Sequence, residues 1–186
     1  VLDRCLKYKD IKAIIFAHSL GNPVDTFRIK QNLKWMDIPI IEDCCEALGA
    51  KWNGQNVGSI GDLGTFSFYA SHHITTGEGG MILTSSKKYS DNLRVLRHQG
   101  MSVSDVVRHK SNKIIHESYP LVGFNFRMSD IQAAVGVEQM KKLPAILKKR
   151  IQLAERYSAK FSRSKNIISP FIPEGYSHNF QSYIIR

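Results

Sequence analysis

The sequence predicts an α/β chain built on a mainly parallel sheet, and three observations predict it. Two apolar runs of strand length, residues 11–17 and 38–43, flank a segment with helical spacing of apolar residues. That strand–helix–strand rhythm favours parallel pairing through a right-handed crossover. The 186 residues are 42% hydrophobic and 23% charged, enough apolar surface for a core, which excludes disordered, collagen-like and coiled-coil classes. No run approaches the ~20 apolar residues of a membrane span, so we expect no membrane partner.

Residues 11–17 (Ile-Lys-Ala-Ile-Ile-Phe-Ala) read as the first strand, ended by the turn-rich His18-Ser-Leu-Gly-Asn-Pro23. Residues 25–36 place Phe27, Ile29, Leu33 and Met36 on one helical face. Residues 38–43 form a second buried strand ending in Glu42-Asp43. In sheets of this kind, ligands sit beyond the carboxyl ends of the strands. Gly49, Gly54, Gly58, Gly61 and Gly64 then punctuate short segments before a strand at 65–69. A second glycine cluster at 75–80 precedes a strand at 81–84, and residues 86–98 read as a helix. Residues 99–120 are polar and basic, a loop or short helix. Ser129 suits the N-cap of a helix over 130–142, where Ala133, Ala134 and Gly136 permit close packing. Pro144 suits the first turn of a further long helix. Leu147, Ile151, Ala154, Tyr157 and Phe161 mark its buried stripe, with Lys148, Lys149 and Arg150 largely off it.

The formal charge of +10 is unevenly placed: residues 1–85 hold 8 basic and 9 acidic side chains, residues 86–165 hold 17 and 6. Such asymmetry can mark a nucleic-acid surface. Here the basic residues lack interleaved aromatics and many fall on one amphipathic helix, so a solvated face is expected and no nucleic acid. Three cysteines, two of them adjacent (Cys44 and Cys45), make neither a disulfide framework nor a CxxC metal pair, which suits a reducing cytoplasm. The chain opens at Val1 with no signal-peptide pattern and closes on an apolar, strand-like run at 181–186; both ends suggest a piece of something larger.

Taken singly, the chemical signals are weak. Glu42-Asp43 can simply cap the next turn. Residues 77–80 fit neither GxxxxGK[ST] nor GxGxxG. His72 and His73 are adjacent, and no HExxH or spaced Cys/His set accompanies them, so no metal is expected. In order, however, four segments form a series: Glu42-Asp-Cys-Cys-Glu-Ala-Leu-Gly49, Gly61-Asp-Leu-Gly-Thr-Phe-Ser-Phe68, Ile74-Thr-Thr-Gly-Glu-Gly-Gly80 and Gly123-Phe-Asn-Phe-Arg-Met128. This series, within residues 13–157, resembles the sugar-aminotransferase (DegT/DnrJ/EryC1/StrS) family of pyridoxal-phosphate enzymes.

The resemblance implies an aspartate aminotransferase-like fold (fold type I). It implies that Asp43 pairs with the pyridine nitrogen and keeps the ring an electron sink. It places Glu46 near the ring's phenolic oxygen, where the family has Gln or His, and gives the Ser67 hydroxyl to the cofactor phosphate. Asn125 resembles the family's phosphate contact from a neighbouring subunit, which implies a homodimer, and Arg127 would support that loop. Residues 1–142 would be the C-terminal part of the large cofactor domain, and 143–186 the linking helix and start of the small domain.

One position departs from the family. Its aminotransferases carry a Schiff-base lysine before the Thr-Gly-Glu-Gly-Gly turn, whereas this chain has His72 there and no lysine between Lys51 and Lys87. Imidazole cannot replace a primary amine in that bond, but its pKa of ~6.5 suits proton transfer at neutral pH. The substitution resembles the sugar 3-dehydratase branch, closest in wording to the CDP-4-keto-6-deoxyglucose type. That implies non-covalent pyridoxal or pyridoxamine phosphate, His72 as the catalytic base, a nucleotide-linked 4-keto-6-deoxyhexose substrate and glutamate as amino donor. The iron–sulfur cluster of that type needs four cysteines, and Val103 and Asp105 stand where two of them would fall, so no cluster is expected. A sugar aminotransferase and a catalytically inactive homologue remain the alternatives.

Overall fold

The computed structural model describes residues 8, 10–33, 36–103, 105–112 and 114–186. Cys5, residues 34 and 35 of the expected first helix, and residues 104 and 113 of the expected 99–120 loop lie outside them. In chain order the elements are β1 (Ile14–Ala17), a 3-10 turn (Ser19–Gly21), α1 (Thr26–Leu33), β2 (Ile40–Asp43), β3 (Lys51–Trp52), β4 (Gln55–Asn56), β5 (Leu63–Ser67) and β6 (Gly80–Leu83). There follow α2 (Lys87–Leu96), α3 (Asp105–Lys110), α4 (Asp130–Phe161) and β7 (Tyr176–Ser177). They divide into two compact units, Val1–Leu83 with Asp130–Arg186, and Thr84–Ser129.

The first unit carries a four-stranded sheet in the order β1-β2-β5-β6. β1, β2 and β5 run parallel, as the strand–helix–strand rhythm predicts, with Ala17 opposite Asp43 and Asp43 opposite Thr65. β6 is antiparallel to β5. Its Met81, Ile82 and Leu83 are all exposed, so this apolar run is an edge strand and no part of the core. Leu33, Ile40, Ala47, Val57, Phe66 and Ile74 lie in the core. β5 can come this close to the preceding turn only without a side chain at Gly64, where a Cβ would stand 2.2 Å from the Gly58 carbonyl oxygen. A small antiparallel sheet, β4-β3-β7, is turned by Asn53-Gly54, a pair that favours two-residue hairpins.

α4 is one helix of 32 residues, which corrects the expectation of two helices meeting near Pro144. A proline inside a helix removes one N–H donor and crowds the preceding turn, and here the helix runs on through it. The expected buried stripe is only partly covered. Ala154 is 2% exposed and Leu147 packs on Gly49, whereas Ile151 and Tyr157 are 38% and 47% exposed. Arg150, expected largely off the stripe, is half-buried and donates to the carbonyls of Phe180 (3.0 Å) and Gln181 (3.2 Å).

In the second unit, Ser86 caps α2 by accepting from the Tyr89 N–H. The segment after α2 is held by backbone hydrogen bonds from Gln99 to Phe124 (2.9 Å), Phe124 to Leu96 (2.7 Å) and Phe126 to Arg97 (3.0 Å).

Candidate functional site

The candidate residues of the first unit gather at the carboxyl ends of β2 and β5 and in the segments that follow them. Alternation along β2 turns Ile40 and Glu42 to the buried face and Asp43 to the other. Asp43 ends the strand. Its Oδ1 accepts from the Cys45 N–H (3.0 Å), its carbonyl accepts from the His18 N–H (2.9 Å), and the next residue's N–H donates to the Thr65 carbonyl (2.9 Å). The carboxylate is thus anchored through one oxygen in the turn that ends the strand.

Glu46 follows in the same turn, and its Oε2 accepts from the Leu20 N–H at 2.6 Å. Ser67 closes β5, paired with Gly80, and its Oγ accepts from the Tyr69 N–H at 3.2 Å. The Thr-Thr-Gly-Glu-Gly-Gly turn folds back on Phe68. The Phe68 carbonyl accepts from the Thr76 N–H (2.9 Å) and the Thr75 hydroxyl (3.1 Å), and the Phe68 N–H donates to the Gly79 carbonyl (2.9 Å). This fold-back presents His72, which is half-buried with its ring edge-on to Tyr69. The Nδ1 of His72 is shut off from solvent without a hydrogen-bond partner.

The neighbouring His73 points elsewhere. It is 5% exposed, and its Nε2 lies 3.3 Å from the Asn179 carbonyl, an acceptor only, so Nε2 carries the proton. Burial pushes its pKa down to about 4, against the hydrogen bond to Asn179 and with help from Arg150 and His72. His73 is therefore neutral at pH 7. Asn125 lies in the second unit, in an isolated bridge with His98, and its Oδ1 accepts from Arg127 Nε at 3.1 Å.

The structure gives Glu42, expected at most to cap the next turn, a different place. Glu42 is fully buried and accepts four hydrogen bonds: at Oε2 from His18 Nε2 (3.0 Å) and Thr26 Oγ1 (3.1 Å), and at Oε1 from the N–H groups of Ile60 (2.9 Å) and Gly61 (2.5 Å). The Val24 N–H donates to His18 Nδ1 (2.8 Å), so that nitrogen is unprotonated and His18 is neutral with its proton on Nε2. Burial alone would raise the Glu42 carboxyl, but the hydrogen bonds it accepts from His18 and from backbone N–H groups, Gly61 and Ile60 among them, outweigh it and lower its pKa to about 2. The signal available beforehand was the alternation itself: if Asp43 faces outward, Glu42 faces inward and needs donors.

His18, Glu42 and Cys44 bring potential ligand atoms within 4.8 Å of one another. The two His18 nitrogens and both Glu42 oxygens are already in hydrogen bonds, and burial, aided by Glu42 and Asp43, pushes the Cys44 thiol up so that it stays protonated. This is a structural network rather than a metal centre. Burial and Asp43 push the Cys45 thiol up to about 12, so it is no thiolate nucleophile at neutral pH either.

Residues 6–186 match the profile of the DegT/DnrJ/EryC1/StrS aminotransferase family. The GDP-perosamine synthase of Caulobacter vibrioides is 36% identical over 176 residues, covering 94% of this chain and 45% of that protein. The GDP-4-keto-6-deoxy-D-mannose 3-dehydratase of Yersinia pseudotuberculosis is 37% identical over 158 residues, covering 81% of this chain and 40% of that one. The solved structure of the Escherichia coli GDP-4-keto-6-deoxy-D-mannose-3-dehydratase with bound hydrated pyridoxal phosphate superposes with a TM-score of 0.81 at 29% identity, covering all of this chain and 49% of that one. The chain thus spans about half the length of the proteins it matches.

Proposed function

This chain belongs to the DegT/DnrJ/EryC1/StrS aminotransferase family, and from that premise we infer that its protein is a pyridoxal- or pyridoxamine-phosphate-dependent 3-dehydratase of a nucleotide-linked 4-keto-6-deoxyhexose, in the biosynthesis of a lipopolysaccharide or related glycan. The observation that carries this reading is His72, in the turn between β5 and β6, with no lysine from residue 52 to residue 86. The likeness to a 3-dehydratase, at 37% identity, supports it.

The residues fit the cofactor. The Asp43 carboxylate, anchored by one oxygen at a strand's carboxyl end, has the charge and place to hold a pyridine nitrogen protonated. When bound, the cofactor supplies an electron sink for a carbanion beside its amine carbon. Ser67 donates its hydroxyl to the phosphate. Glu46, fixed by the Leu20 N–H, would face the cofactor's phenolic oxygen. His72 would take a proton from the carbon beside the condensed amine and return it to the sugar's C3 hydroxyl, which would leave as water, proton transfers that an imidazole performs near pH 7. Asn125 would hold the phosphate of a second copy's cofactor, in a homodimer with shared sites. Residues 1–142 belong to the large cofactor domain, and 143–186 link to a smaller one. Glutamate recharges the cofactor with its amino group, and no iron–sulfur cluster takes part.

A second reading, a nucleotide-sugar aminotransferase, is favoured by the 36% identity to GDP-perosamine synthase. One assay separates the two: full-length protein with pyridoxamine phosphate and 4-keto-6-deoxy nucleotide sugars, followed by mass spectrometry of the sugar. A 3-deoxy product supports dehydration, a 4-amino-sugar product replaces it with transamination, and no turnover marks an inactive homologue.

A further inference from the structure

The loops that bear Glu46 and His72 are tied together by a residue that belongs to neither, through its side chain to one and its backbone carbonyl to the other. Asn179, just beyond β7, is 2% exposed. Its Nδ2 donates to the carbonyls of Glu46 and Leu48, each at 3.0 Å. Its Oδ1 accepts from the Gln181 N–H at 3.1 Å. Two carbonyls on one side and an N–H on the other settle which amide atom is nitrogen. The backbone of the same residue makes two further ties: its carbonyl accepts from His73 Nε2 (3.3 Å), and its N–H donates to the Gly21 carbonyl (3.3 Å).

One residue therefore joins the turns that follow β1, β2 and β5. The approach is close enough that a Cβ on Gly21 would lie 1.7 Å from Asn179 Oδ1. The segment around it is braced from two sides. Gln181 Nε2 donates to the Ser71 carbonyl at 3.1 Å, and Arg150 holds the carbonyls of Phe180 and Gln181. His72 stands between the two tied residues, Ser71 and His73, while Glu46 is itself tied through its carbonyl.

We propose that Asn179 is a positioning residue that holds the Glu46 turn and the His72 turn at a fixed separation, so that both side chains meet one ligand. The roles of Glu46 and His72 toward that ligand rest on the function proposed above; the tie between the turns does not.

The test uses full-length protein. Asn179→Asp keeps the shape and the Oδ1 acceptor but sets an oxygen against two carbonyls. Hydrogen exchange of the cofactor-free protein should speed up about tenfold or more at residues 44–50 and 70–76 together, with β1, β2 and β5 unchanged. In the dehydration assay, kcat should fall at least tenfold with KM within twofold. His73→Leu is the second variant, informative even if Asn179→Asp does not fold. It should loosen 70–76 alone and lower kcat, and His73→Gln, which restores a donor, should recover part of it. Unchanged exchange in 70–76 on His73→Leu, loosening of one turn without the other on Asn179→Asp, or unchanged kcat in folded Asn179→Asp would overturn the proposal. If the wild type yields no 3-deoxy product, the proposed function fails, and the exchange results alone uphold or overturn the tie.

Discussion

Replacing Glu42 with glutamine removes a charge and one acceptor from a site where four donors converge. Ile60 and Gly61 present backbone N–H groups to Oε1 that cannot rotate away. His18 cannot turn its ring to offer an acceptor, because Nδ1 is held by the Val24 N–H. Thr26 alone has a second choice, the Val24 carbonyl at 3.4 Å. Whichever way the glutamine amide is set, its NH2 faces at least one fixed donor. Leaving a buried donor unpaired costs about 1–3 kcal/mol, and each hydrogen bond to a charged acceptor contributes about 1.5–3 kcal/mol. We therefore expect Glu42→Gln to lose about 3 kcal/mol in urea unfolding of full-length protein at pH 7.

The pH dependence gives the sharper check. The folded carboxyl titrates at about 2, below its ordinary 4.5, so its contribution is complete well above pH 4.5 and is lost as pH falls toward 2. From those two values, the gap between wild type and Glu42→Gln should shrink by about 1 kcal/mol between pH 6 and pH 4, and by about 2 kcal/mol at pH 3. A gap that stays constant from pH 6 to pH 4, or a glutamine variant as stable as wild type, refutes the reasoning.

Gly64→Ala drives a Cβ into the Gly58 carbonyl and should lower stability by about 2 kcal/mol or more, read as a drop in Tm. Asp43→Asn should leave the fold intact and weaken binding of pyridoxamine phosphate at least ~10-fold by fluorescence titration, since a neutral amide no longer favours the protonated ring nitrogen. Cys45, raised to about 12, should react with iodoacetamide at pH 8 at least ~100-fold more slowly than the same cysteine in urea-unfolded protein.

The parallel core of the fold and the place of Asp43 were legible because they rest on local patterns: apolar runs ending in acids and a helix between them. What escaped rests on partners distant in sequence. Glu42 is held by residues 16 to 24 positions away, and Asn179 meets His73, Leu48 and Glu46 across 106 to 133 positions. No spacing rule links such residues before the sheet brings them together. The antiparallel direction of β6 was equally hidden, since its apolar residues look alike in either direction and only the tight return through residues 68–79 sets it. Pro144 was read as a helix start from its preference for first turns, yet the helix accepts it inside at the loss of one hydrogen bond. β3 and β4 are two residues each, too short for alternation to register.

The proposed dehydration requires His72 in the active site where a lysine would otherwise hold the cofactor. Full-length protein saturated with pyridoxal phosphate, reduced with borohydride and digested for peptide mass spectrometry tests it directly. The account predicts that no lysine gains the phosphopyridoxyl mass, and that His72→Lys gains it on the peptide containing residue 72. A lysine labelled in the wild type would contradict it.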